Sequence, residues 1–242
     1  MSLTVEAAAR THVGLVRRRN EDSVYAGKSL FAVADGLGGH VAGDTASATA
    51  IEALRRYDRH VAEADLARVA GQAVSAANTA LRNKIEAEPE LAGMGTTLVA
   101  MLWSGSKFVL ANVGDSRGYL LRPSSAPQMI PITEDHIYGN LVSDASSVPH
   151  LPERLARFLD GRPDGRSPDL TTRTLYVGDR FLLCSDGLSP VVSNDLIQAH
   201  LASPTNPGDT ADRLIKLAID YGGPDNVTVI VIDVRNSNDC AP

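Results

Sequence analysis

Four apolar runs of this chain are each closed or opened by an aspartate: FAVADG places Asp35, LANVGDS Asp115, FLLCSDG Asp186 and PDNVTVIVI Asp225. Short apolar runs bounded by turn formers read as buried strands. The chain must therefore fold so that four carboxylates sit at the mouths of four strands. Asp-Gly and Asp-Asn are ordinary turn pairs, and for any one of the four that explanation suffices. For all four together it weakens, because acids beside buried strands need compensation and several in one cleft are tolerable when cations hold them together. Asn20, Glu21 and Asp22 in RRRNED add further oxygen donors. No His/Cys cluster of the type zinc prefers accompanies them, and oxygen-only sites suit magnesium or manganese. As a phosphate cradle, GLGGHVAG lacks the Gly-Lys-Ser/Thr ending of a Walker loop and has Val41 where GxGxxG needs its third glycine.

The pattern between these acids sets the fold class. Thr4 to Val13 is mixed, Gly14 marks a turn, and Leu30 to Ala34 suits a buried strand. Two helical patterns follow. One carries Ala46, Ala50, Ala53 and Leu54 with Asp44 or Thr45 as cap; the other carries Leu66, Val69, Ala73, Ala77, Leu81 and Ile85 and stops before Pro89. The period then becomes that of sheet, with TTLVAMLW, KFVLANVG, GYLLR and MIPI separated by short polar segments, as in an antiparallel meander. Glu134 to Pro168 is rich in Pro, Gly, Ser and Asp and reads as a surface insertion with one short helix around Glu153 to Leu159. The strand FLLCS, a helix near Asn194 to His200, a helix from about Thr210 to Tyr221 and a strand from Val227 to Val234 complete the chain. Strands in runs with helices in pairs favour an α+β layered sandwich over a doubly wound parallel sheet. With no repeat or linker, residues 1–242 are expected to form a single domain.

The formal net charge of -6, and a single tight basic run at Arg17, Arg18 and Arg19, argue against nucleic acid as a partner. No apolar run is long enough to span a bilayer, and Met1 to Arg10 lacks the features of a signal peptide, so no membrane association and a cytoplasmic location are expected. Cys184 in an apolar run and Cys240 in a polar tail do not suggest a disulfide, and Cys184 lacks the basic loop that would activate a catalytic thiol.

Taken in order, RRRNED, FAVADGLGGH, MGTT, NVGDSR, ITEDH, LLCSDGL and GGPDNVTV resemble the motif series of the metal-dependent protein phosphatases, the PPM or type 2C serine/threonine phosphatases, in their bacterial form. The resemblance spans about Thr11 to Val234. It implies a four-layer α-β-β-α sandwich with two central antiparallel β-sheets flanked by helix pairs, and a centre of two Mn2+ or Mg2+ ions, joined by a third in many bacterial members. By the same resemblance Asp35 bridges the ions, the Gly36 carbonyl and Glu21 serve one, Asp186 and Asp225 serve the other, Asp22 holds metal-bound water, and Asp115 with Asp186 match the third site. Arg17 matches the arginine that grips the substrate phosphate, a role its planar fork suits. His40 matches a histidine usual in bacterial members, with a place in leaving-group protonation or loop hydrogen bonding. Leu37 occupies the position where animal members carry a histidine. His136 fits the Thr-x-Asp-His pattern, while the flap at about residues 134–168 is only distantly similar to the family's.

The implied activity is hydrolysis of phosphoserine and phosphothreonine in proteins by a metal-bridging hydroxide, with no covalent intermediate. The implied partners are phosphorylated proteins that a serine/threonine kinase produces, met by a monomer. The alternative is an inactive phosphatase-fold regulatory or binding domain, and a nuclease is a third reading. Intact acids at positions 22, 35, 186 and 225 speak against the inactive domain, and the absence of a basic groove speaks against the nuclease.

Overall fold

A computed structural model describes residues 2–37, 42–125, 127–142, 145–163 and 167–237. In chain order it contains β1 (Leu3–His12), β2 (Asp22–Ala26), β3 (Leu30–Leu37), α1 (Gly43–Arg55), α2 (Leu66–Ala87), β4 (Gly95–Thr96), β5 (Leu98–Ser104), β6 (Lys107–Val113), β7 (Arg117–Leu121), β8 (Met129–Pro131), α3 (Tyr138–Leu141), β9 (Asp169–Thr174), β10 (Arg180–Cys184), α4 (Asn194–Leu201), α5 (Pro207–Asp220) and β11 (Val227–Asn236). One sheet runs β1-β11-β10-β7-β8 and the other β2-β3-β5-β6-β9, with β4 paired to β3, and every pairing is antiparallel.

Strand alternation builds the layers. Phe31, Val33, Val99, Met101, Phe108 and Leu110 of one sheet meet Leu120, Phe181, Leu183, Ile230 and Ile232 of the other. Phe108 and Phe181 pack edge to face there, with centroids 4.9 Å apart. The intervening residues Leu30, Ala32, Ala34, Leu98 and Ala100 point outward, onto Ala46, Ala50 and Leu54 of α1 and Val69, Ala73, Ala77 and Leu81 of α2. On the far side Leu182, Cys184, Val229 and Val231 face Ile197 and Leu201 of α4 and Ala211, Leu214 and Ala218 of α5. This is the expected α-β-β-α sandwich. Among the described residues no helix is long and apolar enough to cross a membrane.

Several local expectations are corrected. The four strands read as one meander are divided: β5 and β6 pair in one sheet, whereas β7 and β8 belong to the other. The chain changes sheet at Gly114 and Asp115, where Gly114 has φ +113 and a Cβ would lie 2.7 Å from the Thr97 side chain. TTLVAMLW is two elements, because Thr97 leaves the ladder to bond Asp35. The mixed Thr4–Val13 stretch is mostly β1, an edge strand that among the described residues pairs only with β11, along its full length, and that leaves polar residues such as Glu6 in solvent. No helix forms at Glu153–Leu159. Leu155 and Leu159 are instead drawn into bridges with Ile137 and Thr96, and the short helix of the insertion is α3. Helix α1 begins after Ala42 in the left-handed region, with neither Asp44 nor Thr45 as cap. Helix α5 begins at Pro207, capped by the Asn206 side chain, which accepts from the Asp209 N–H at 2.9 Å.

Candidate active site

The strand mouths meet at one end of the sandwich. Arg17, Glu21, Asp35, Gly36, Leu37, Asp115, Leu155, Asp186, Asp225 and Asn226 line a cleft of about 210 Å³. Asp35 and Gly36 come from β3 in one sheet. Asp186 follows β10 and Asp225 precedes β11 in the other, and Asp115 lies on the crossing between the sheets. Asp22 stands directly opposite Asp35 across the β2–β3 ladder. Like charges in that relation are destabilising.

Local chemistry fixes each group. The backbone of Asp35 is held from both directions: Thr97 Oγ1 accepts its N–H at 3.1 Å, while Thr97 N–H and Thr96 Oγ1 donate to its carbonyl at 2.9 and 2.8 Å. Ser185 Oγ donates to Asp22 Oδ2 at 2.8 Å and accepts from the Thr228 N–H at 3.0 Å, which joins the two sheets at the cleft. Gly187 is required because a Cβ there would run into the backbone of Asn226; the glycine of SDG thus answers a close approach between strands as well as a turn. A side chain at Gly43 would strike both the Glu21 carboxylate and the Gly36 carbonyl, so those two oxygens face a common point beside the start of α1.

The electrostatics are those of acids short of counter-charge. Burial, then the charges of Asp22, Asp186 and Asp115, pushes the Asp35 carboxyl well above the ordinary range. Burial raises Asp186 as well. Burial, partly offset by bonds from Thr228 and Ser185, lifts Asp22 to about 6; burial and the charge of Asp186 lift Asp115 to about 7. Two buried oxygens, Asp22 Oδ1 and Asp186 Oδ1, have no hydrogen-bond partner among the described residues. Arg17 is the guanidinium of the cleft, and its Nη2 donates to Asp225 Oδ2 at 2.6 Å. Among the described residues no three of these carboxylates close into a finished cage. The all-oxygen donor set and the two orphaned oxygens nonetheless fit hard divalent cations.

Of the residues singled out by sequence, Arg17, Glu21, Asp35, Gly36, Asp115, Asp186 and Asp225 line the cleft, and Asp22 is linked to it through Ser185 and its strand partner. His40 lies outside the described residues. His136 is buried under the crossing, accepting from the Gly114 N–H at 3.1 Å and facing Asp169 at 3.1 Å, a supporting place rather than a lining one. Sequence reading passed over Asn226. Its Oδ1 accepts from the Glu21 N–H and its Nδ2 donates to the carbonyls of Val13 and Arg19, so it moulds the RRRNED segment. The PDNV motif contained that signal. Cys184 is buried and its thiol is pushed up to about 12 by burial, which agrees with the expectation that it is no nucleophile.

Paired antiparallel sheets with an acidic, oxygen-only cleft at one end define the class of the metal-dependent phosphatases, and the chain belongs to the protein phosphatase 2C family, whose model matches residues 16–216. Among particular proteins, it is 46% identical over 241 residues to the serine/threonine protein phosphatase PstP of Mycobacterium tuberculosis, a match that covers 97% of this chain and 46% of that protein. The chain therefore spans about half the length of that curated relative. It is 33% identical to the serine/threonine phosphatase Stp of Listeria welshimeri, covering 95% and 96% of the two chains. The crystal structure of the PstP catalytic domain in complex with two manganese ions superposes with a TM-score of 0.87 at 45% identity, over 97% of this chain and 100% of that one.

Proposed function

We propose that this chain is a manganese- or magnesium-dependent hydrolase of phosphoserine and phosphothreonine in proteins. The observation that carries the reading is the pair of buried carboxylate oxygens, on Asp186 in the cleft and on Asp22 beside it, that have no hydrogen-bond partner among the described residues, at an all-oxygen donor set that both sheets build. The manganese in the related PstP structure and the names of the relatives support it. Asp35 would bridge two ions, with Glu21 and the Gly36 carbonyl on one and Asp186 and Asp225 on the other. Asp22 would hold water beside them, and Asp115 with Asp186 would take a third ion. Bound divalent ions supply Lewis-acid neutralisation of phosphoryl charge and a nucleophilic water at neutral pH.

The chain's own part is to position and to exclude. Thr96 and Thr97 hold the Asp35 backbone, Ser185 keeps Asp22 oriented, and Arg17 offers its remaining N–H groups to phosphoryl oxygens while Asp225 steers the guanidinium. Leu37 and Leu155 wall the cleft with apolar surface. Leu37 carries no proton donor, so the leaving alkoxide takes its proton from water or from His40. The reading extends to a cytoplasmic monomer that opposes a serine/threonine kinase.

The test is phosphate release from p-nitrophenyl phosphate and a phosphothreonine peptide with Mn2+, Mg2+ or chelator. Activity should require the metal and vanish in Asp35→Asn. Metal-independent turnover, or an active Asp35→Asn protein, would refute the reading.

A further inference from the structure

Leu15 and Val16 are the most exposed large apolar residues described, at 62% and 69%. They belong to none of the three hydrophobic clusters. An isolated exposed leucine needs no explanation, but these two stand side by side, immediately before the cleft arginine Arg17.

Their loop is also held. Leu15 N–H donates to the Gly223 carbonyl at 2.7 Å, and Gly14 N–H donates to His12 Nδ1 at 2.9 Å. Asn226 Nδ2 reaches the carbonyls of Val13 at 2.9 Å and Arg19 at 2.8 Å. Gly14, at φ +81, lies against the Asp225 carbonyl so closely that no side chain would fit. A rigid backbone thus presents two apolar side chains to solvent, and the residue that fixes both ends of the loop, Asn226, is itself part of the cleft lining. Apolar groups held in place before binding lose little entropy on contact, which is the usual condition of an anchor point in recognition.

We propose that Leu15 and Val16 form a specificity ledge for the substrate chain, taking a bulky apolar residue within two positions of the phosphorylated serine or threonine. The inference rests on the reading of the cleft as a phosphoprotein phosphatase site and goes beyond it by naming what flanks the phosphate. The reach is set by backbone dimensions: Val16 adjoins Arg17 in sequence, and an extended peptide advances about 3.3 Å per residue, so residues one or two positions from a phosphate held by Arg17 lie within about 7 Å of it along the peptide. The occupant is a peptide segment because Val16 is the chain neighbour of Arg17, which lines the cleft, and a substrate whose phosphate is anchored there carries its flanking residues with it.

The experiment compares kcat/KM, with Mn2+ present, for phosphothreonine peptides that differ by Leu or Ser at the two positions on either side of the phosphoresidue. Covering one leucine on an open surface corresponds to about a fivefold preference. The native chain should prefer Leu by that factor in at least one position, and the double variant Leu15→Ser, Val16→Ser should reduce the preference below about twofold. Each enzyme is its own reference, so a general change in activity does not enter the ratio, and Val16→Ser alone gives a milder check. Equal turnover of the Leu and Ser peptides by the native chain overturns the ledge while leaving the phosphatase reading intact, and so does a preference that persists in the double variant, which would place the apolar contact on Leu37 or Leu155. Failure to hydrolyse any of the peptides overturns both.

Discussion

Stripping divalent cations from this chain at neutral pH should cost it several kcal/mol of stability, and the loss should grow as pH rises. The folded state holds protons on Asp22 and Asp115 with pKa values of about 6 and about 7, against 3.8 ordinarily, chiefly because burial penalises the charged carboxylates. Between about pH 4 and pH 7 the unfolded chain has released protons that the metal-free fold still binds, so the stability these groups give at low pH is lost as pH climbs through their folded values. For Asp22 alone, moving from 3.8 to about 6 corresponds to about 3 kcal/mol at roughly 1.4 kcal/mol per pKa unit. For a chain of this size that is about 6–12 °C in melting temperature. The assay is a thermal melt in chelator from pH 5 to 7.5, repeated in saturating Mn2+. Because pH 5 already lies about one unit above the unfolded value, Asp22 alone should lower the metal-free curve over this window by about half that amount, and the gap to the manganese curve should widen with pH, since a ligand that binds only the folded cleft stabilises it. Asp22→Asn should flatten the metal-free curve. A chelator-treated melting temperature that does not change with pH, or one that manganese does not move at pH 7.5, would sink the claim that these acids are short of cations.

Three further outcomes follow from the contacts. Arg17→Lys replaces a planar fork by a point charge and should lower kcat/KM for a phosphothreonine peptide by about tenfold or more; kinetics matching the native chain would remove Arg17 from phosphate binding. Asn78→Ala deletes the clamp in which its Oδ1 accepts from Gly161 N–H at 2.8 Å and its Nδ2 donates to the Arg162 carbonyl at 2.7 Å. It should destabilise the chain by about 1–2 kcal/mol and speed proteolytic nicking near residues 160–163, and an unchanged cleavage pattern would contradict it. Arg180→Met leaves Asp233 without its bidentate partner and unties the carbonyls of Leu201, Ser203 and Thr205. A loss of roughly 3–5 kcal/mol in denaturant melts is expected, with turnover per folded molecule preserved because the cluster is remote from the cleft lining.

What the amino-acid sequence discloses, and what it hides, follows from where each signal originates. Asp35, Asp115, Asp186 and Asp225 were legible because each stands at the end or the start of a buried apolar run, and burial is written locally. The alternation of Leu30–Ala34 likewise shows two different neighbours, the second sheet and the helices. Strand β9, DLTTRT, is almost wholly exposed and polar, so nothing in its own composition announces that β6 will pair with it. The change of sheet at Gly114 depends on the distant side chain of Thr97, and the helix expected around Glu153 to Leu159 gives way because Leu155 and Leu159 are claimed by Ile137 and Thr96, partners outside that segment. The start of α5 is written in the Asn206-Pro207 pair, a capping side chain followed by a proline, three residues before Thr210.

The division of the acids between the sheets has a consequence for how the molecule matures. Asp35 rides on one sheet and Asp186 and Asp225 on the other, while the Ser185 hydroxyl reaches across to Asp22. Neither half of the sandwich owns a usable pocket by itself. A nascent or partly melted chain, however much strand it has acquired, would be chemically inert until its two layers close. For the hydrolase proposed above, competence would arrive only with final assembly of the two layers.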